Sequence, residues 1–147
     1  MPKPEKPEQQ EDDGVRLLKY SDLREEWLSE SVSRRLVVGR NEMLGYVFIK
    51  KGGIVPAHKH VSEQISIILK GGLRFTINGK EIVVNQGEIL VIPPNVEHLA
   101  VALKDTLDLD CFSPLREDWL SGKDAYLRGG PTKTKDRRAS SRGDQRQ

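Results

Sequence analysis

Leu73-Arg74-Phe75-Thr76-Ile77-Asn78-Gly79-Lys80-Glu81-Ile82-Val83-Val84 decides the fold class. Two short runs rich in Ile, Val, Leu and Phe flank Asn78-Gly79. That dipeptide is a strong signal for a type I′ turn, whose two central residues both need φ > 0. The segment reads as a β-hairpin, and the same texture continues on both sides. Leu36-Val37-Val38, Tyr46-Val47-Phe48-Ile49 and Ile65 to Leu69 lie upstream; Ile89 to Ile92, His98 to Leu103 and Leu107 to Phe112 lie downstream. Gly71-Gly72 and Asn85-Gln86-Gly87 mark further tight reversals. About eight short strands without intervening helices predict an all-β sandwich or barrel. Leu36-Val37-Val38 is the candidate edge strand and needs cover. Helix is expected only at the flanks. Ser21 to Ser29 carries Ser21 as N-cap, and a second helix starts with Ser113 as N-cap and Pro114 at N1.

The 147 residues fit one domain. Residues 1–14 are rich in Pro and charge, and residues 131–147 are polar and basic. Neither segment buries enough surface to offset its ordering entropy, so both are expected to be disordered around a folded unit of residues 15–130. The tail carries six Lys/Arg against two Asp, a net +4, within a chain of net charge +2. It has no interleaved aromatics, which argues against nucleic-acid binding. Arg137-Arg138-Ala139-Ser140 resembles a basophilic kinase site, a match short enough to be accidental. Cys111 is the only cysteine, so there is no disulfide framework. No signal peptide opens the chain and no apolar run approaches a membrane span, so a cytoplasmic protein is the default expectation.

Chemistry concentrates in His58-Lys59-His60-Val61-Ser62-Glu63-Gln64. Successive side chains of a strand alternate faces, so an extended segment aims His58, His60 and Gln64 at one point. Glu63 takes the other parity and reads as a solvated residue. The third histidine of the chain, His98, follows a second Gly/Pro-marked strand. Imidazole is the commonest metal ligand, and an amide oxygen can complete the set. A purely structural role for the histidines is the alternative, and it requires separate polar partners for each in a core.

These residues resemble the two motifs of the cupins. Gly52, His58, His60, Gln64 and Gly71 resemble the first motif; Gly87, Pro93, Pro94, Asn95 and His98 resemble the second. Asn95 stands where a glycine is usual, and Asn tolerates the left-handed conformation of a tight turn. The resemblance implies a small double-stranded β-helix barrel with one divalent metal held by His58, His60, Gln64 and His98. Glu is more usual at the position of Gln64. Four neutral ligands leave the ion's charge uncompensated, which favours Lewis-acid chemistry over an iron oxygenase. Zn, Ni, Mn, Co and Fe all remain open.

His-x-His-x-x-Glu-Gln is similar to the pectin-degradation (KdgF-like) branch of the cupins, whose members convert 4,5-unsaturated uronates into linear keto sugars. The stretch 110–118 resembles that branch's closing strand, which assigns Asp110 and Arg116 to catalysis, and Phe112 and Arg116 to substrate binding. The residues themselves allow other readings. Asp108, Asp110 and Phe112 share a parity opposite Leu107, Leu109 and Cys111. Asp108 reads as a surface acid, and Arg116 as a carboxylate fork or a surface ion pair. Cys111 reads as a small buried hydrophobe, Trp27 and Trp119 as packing anchors, and either Met43 or Tyr46 as a cavity neighbour. The expected partner is a small-molecule carboxylate or sugar acid, and single-domain cupins imply a homodimer. The rival functions are a polyketide cyclase or small-carboxylate lyase, a non-catalytic ligand-binding cupin, and a dioxygenase.

Overall fold

The computed structural model describes residues 14–128. The segments 1–14 and 131–147, with the kinase-like site, lie outside the described residues apart from Gly14. Among the described residues ten strands form two antiparallel sheets. They are β1 (Glu26–Trp27), β2 (Val32–Val38), β3 (Met43–Ile49), β4 (Ile54–His58), β5 (Glu63–Lys70), β6 (Gly72–Ile77), β7 (Lys80–Asn85), β8 (Ile89–Ile92), β9 (His98–Ala102) and β10 (Thr106–Ser113). One sheet runs β1-β2-β3-β10-β5-β8 and the other β4-β9-β6-β7. The all-β expectation holds.

The hairpin at Asn78-Gly79 forms as read: both residues have positive φ, at 52° and 74°, and Ile77 pairs with Lys80. Asn95 also sits in the left-handed region, at φ 60°. β1 covers only Ser33 and Arg34 of β2, so Leu36 to Val38 form an edge, as expected.

Three local readings are corrected. Residues 21–29 do not form a helix; a single 3₁₀ turn spans Tyr20–Asp22 and β1 follows. The C-terminal helix α1 spans Glu117–Ser121 with Arg116 at its N-cap, because Ser113 still belongs to β10. His58 ends a strand of its own, β4, whose residues Ile54-Val55-Pro56-Ala57-His58 contain Pro and form no apolar run.

The core lies between the sheets: Val47, Ile49, Ile68, Leu73, Phe75, Ile92, Ala100 and Phe112 are all buried. Met43 faces inward at 1% exposure, whereas Tyr46 faces outward against Tyr20. α1 and a 3₁₀ turn (Ala125–Leu127) close one end of the barrel. Trp119 of α1 reaches that end because Gly45 leaves room: a Cβ there would lie 2.9 Å from the indole. Among the described residues no helix is long and apolar enough to cross a membrane.

Candidate metal centre

The three histidines come from three places. His58 ends β4, His60 lies in the β4–β5 connection, and His98 opens β9 opposite His58. The single extended strand of the sequence reading is thus replaced by a strand end, a loop and a second strand start, with Gln64 just inside β5. One ligand-type nitrogen from each histidine lies within 4.8 Å of the others.

Hydrogen bonds set the tautomers. His58 Nδ1 lies 2.9 Å from Pro56 O, His60 Nδ1 2.8 Å from Ser62 O, and His98 Nδ1 2.8 Å from Val96 O. A carbonyl only accepts, so each Nδ1 carries the hydrogen and each Nε2 presents a lone pair. His98 Nε2 is buried and has no hydrogen-bond partner. His60 Nε2 faces Gln64 Oε1 at 3.1 Å, lone pair against lone pair. Converging lone pairs without donors are costly in a buried site unless a cation joins them. The residues therefore fit a divalent metal ion.

Burial keeps the imidazoles neutral. It pushes His58 down to about 3, with His98 and Arg116 adding to the effect. Burial and Arg116 push His60 down to about 4, and burial lowers His98. Neutral imidazole is the form that binds a metal.

Behind the histidines stands an acid pair. Asp108 and Asp110 are both buried, which corrects the reading of Asp108 as a surface acid. That reading assumed the Leu107-Leu109-Cys111 face pointed into the core; instead that face points out of the barrel and the acids point in. Burial raises Asp108 well above the usual carboxylate range, and Asp110 raises it further. Burial also raises Asp110, which hydrogen bonds from Asp108 and Ser66 partly offset. Two buried acids this close favour one shared proton over two charges. Ser66 donates to Asp110 Oδ1 at 2.7 Å and accepts from Gln64 Nε2 at 2.9 Å.

Arg116 is buried at 2% exposure, in contact with Phe112 and Trp119. Its fork is already engaged. Nε and Nη2 donate to Asp118 at 2.9 and 2.7 Å, and Nη2 also donates to the Tyr126 hydroxyl. Nη1 is buried without a partner. Phe112 lies edge-on to His60 at 5.6 Å. Cys111 is half-buried on the opposite face, and Trp27 is 48% exposed.

Sequence reasoning passed over Arg34, Ser66 and Tyr126. Arg34 is buried and lines the same cavity as His58 and Asp110. Its Nη1 lies 2.7 Å from Asp124 Oδ2, an ion pair at an angle that makes no hydrogen bond. Tyr126 stacks on His58 at 4.7 Å. The parity of Ser66 with Gln64 was a usable signal; nothing in the sequence brings residue 126 to residue 58.

The inner cavity between histidines and acids is ≈ 30 Å³, enough for an ion or a water. An open groove of ≈ 310 Å³ adjoins it, lined by His60, Ser62, Leu115, Arg116 and Asp118 among others.

Residues 45–113 match the cupin-domain family Cupin_2. The chain is 29% identical over 98 residues to the pectin degradation protein KdgF of Dickeya dadantii (strain 3937), covering 65% of this chain and 89% of that protein. It is similar to the solved structure of KdgF from Halomonas sp., with TM-score 0.67 and 25% identity over 71% of this chain and 98% of that one. An RmlC-like cupin from Shewanella frigidimarina NCIMB 400 shares the fold at TM-score 0.67 and 24% identity, over 71% of this chain and 96% of that one.

Proposed function

Taking as premise that this chain carries a cupin domain resembling KdgF, we propose that it is a metal-dependent enzyme that converts a 4,5-unsaturated uronate into a linear keto sugar. The observation that carries the reading is three imidazole lone pairs converging beside a buried acid pair. His58, His60, His98 and Gln64 would hold one divalent ion, whose chemistry is Lewis-acid polarisation of a bound oxygen.

The chain's own groups account for the rest. The reaction adds water across C4=C5, with the proton going to C4 and the hydroxyl to C5, and the resulting hemiketal opens to a ketone. Asp110 takes a proton from the attacking water at its carboxylate and passes it to C4, and Asp108 supplies the hydrogen bond that stabilises its charged form. Phe112 walls the cavity and excludes water. Arg116 meets the substrate carboxylate through Nη1, because Asp118 and Tyr126 hold its other nitrogens. The ≈ 310 Å³ groove beside His60 and Arg116 is where a sugar ring fits. The rival is a lyase acting on a small carboxylate, which the same groove beside Arg116 would admit.

Metal analysis of the purified chain, then loss of the conjugated-alkene absorbance on a panel of unsaturated uronates, tests the reading. Metal-loaded protein that leaves every uronate unchanged sinks it; turnover of a small carboxylate instead establishes the rival.

A homodimer and a cytoplasmic location complete the proposal. The outer face of the larger sheet supports the first. Tyr46, Leu109, Ile67 and Ile89 form one cross-strand row there, and Leu44, Cys111, Ile65 and Val91 another. These rows cover roughly 260 Å² at the usual strand spacing, about a third of one partner's share of a standard interface. The adjoining segment supplies more apolar surface: Val15 and Leu17 are 81% and 97% exposed, and Arg16 binds Val38 O.

A further inference from the structure

We propose that Ser66 is a positioning residue for the metal centre, fixing the Gln64 amide with its oxygen toward the imidazoles and making glutamine, not glutamate, the residue this centre requires. The inference rests on the metal reading above. Gln64 and Ser66 lie on the inward face of β5, opposite Phe112 and Asp110 of β10. Both are buried, Ser66 completely.

A hydroxyl has one hydrogen to give. Ser66 gives it to Asp110 Oδ1 at 2.7 Å. What it presents to Gln64 is a lone pair, and a lone pair seeks a donor. The Gln64 amide nitrogen answers at 2.9 Å, which turns Oε1 toward His60 Nε2 at 3.1 Å. A glutamine amide is nearly symmetric in shape, so nothing steric selects this orientation. The flipped amide would set oxygen against the Ser66 lone pair and aim two hydrogens at a cluster of lone pairs that needs a cation. Ser66 disfavours that state at one end, and a bound cation disfavours it at the other.

The same parity excludes a carboxylate. Glu at position 64 would face the Ser66 lone pair with a second acceptor. Ser66 could satisfy it only by withdrawing its hydrogen from Asp110, which is itself buried. Donation thus runs in one direction only, from Gln64 through Ser66 to Asp110, and it leaves the amide oxygen facing the imidazoles. It also ties the acid proposed to move protons to a ligand proposed to hold the ion, through one buried hydroxyl.

The test uses the full chain stripped of metal and titrated with Co(II) against a competing chelator, reading affinity and the visible absorption bands. Ser66→Ala should weaken Co(II) binding about 10–100-fold and shift the bands, the range for removing a group that orients a ligand. Ser66→Thr keeps the hydroxyl and should restore both. In a Gln64→Glu background the Ser66→Ala change should cost little, because there is no amide left to orient. Parent-like affinity and bands in Ser66→Ala overturn the proposal, as does an equal loss with Gln64 and with Gln64→Glu. A parent that takes up no Co(II), or a His98→Ala chain that binds like the parent, overturns the metal reading and this inference with it.

Discussion

The two sheets of this barrel differ at their centres. In the four-stranded sheet Leu73, Phe75, Ala100 and Ala102 point inward and are buried, while Arg74, Thr76 and Glu81 point outward. That is the ordinary alternation of an antiparallel sheet with one wet face. In the centre of the six-stranded sheet the alternation is reversed. Gln64, Ser66, Asp108 and Asp110 point inward; Ile65, Ile67, Leu107, Leu109 and Cys111 point outward. Arg35 continues the Tyr46 row onto β2, where it lies over Tyr20 and binds Leu23 O, and Glu63 and Lys70 flank the apolar rows. Polar groups inside cost free energy unless they are paired or put to use, and apolar groups outside ask for cover. The reversal therefore puts the candidate site on one face of these strands and an uncovered apolar surface on the other.

The inward half breaks first at the histidines. His58→Ala or His98→Ala should abolish stoichiometric metal by elemental analysis, and all turnover with it. Metal retained at one equivalent in both variants would remove the centre from these residues. Next is Asp110→Asn, which keeps the shape and removes the proton carrier. It should lower kcat by roughly 10²–10⁴ while metal content stays at the parent level.

The outward half is broken by Leu109→Lys, which lies at the middle of the row Tyr46–Leu109–Ile67–Ile89. In a symmetric dimer the change places two like charges close together in an apolar patch, at a cost of several kcal/mol. Sedimentation should show monomer at concentrations where the parent is dimeric. A dimer of unchanged affinity would assign the interface to another face.

How much of this was legible follows from the same reversal. Strand texture and turn chemistry are local, so the hairpin at Asn78-Gly79 and most strand positions could be read directly. The ligand-type residues were legible because His58, His60 and His98 are so few and so spaced. Asp108 was not, because the rule that acids face water holds for the four-stranded sheet and fails in the six-stranded one. Arg34 and Tyr126 were invisible for another reason. Their places depend on the C-terminal segment folding back over the barrel mouth, where Asp124 meets Arg34 and Tyr126 stacks on His58. No periodicity encodes a contact between residues so far apart in the chain.

Two smaller effects separate the sheets quantitatively. Burial raises the folded pKa of Asp108 well above its ordinary value of 3.8, so between that value and the raised one the folded state holds a proton the unfolded chain has lost. Stability is then full below pH ~4 and falls as pH rises. Asp108→Asn does not titrate and still donates to Asp110. In chelator-treated protein it should be more stable than the parent by roughly 1–3 kcal/mol at pH 8, with the gap closing toward pH 4. A gap that is constant with pH would mean Asp108 is ionised in the fold. The smallest effect belongs to the ordinary sheet. Arg74 and Glu81 are 3.8 Å apart on its wet outer face. Exposed pairs of this kind contribute ~0–1 kcal/mol and are screened by salt. Arg74→Ala should therefore leave the melting curve near the parent's, and should leave the dimer intact where Leu109→Lys does not. If Arg74→Ala dissolves the dimer instead, the apolar outer rows are not what joins the two copies, and the contrast between the sheets loses its outward half.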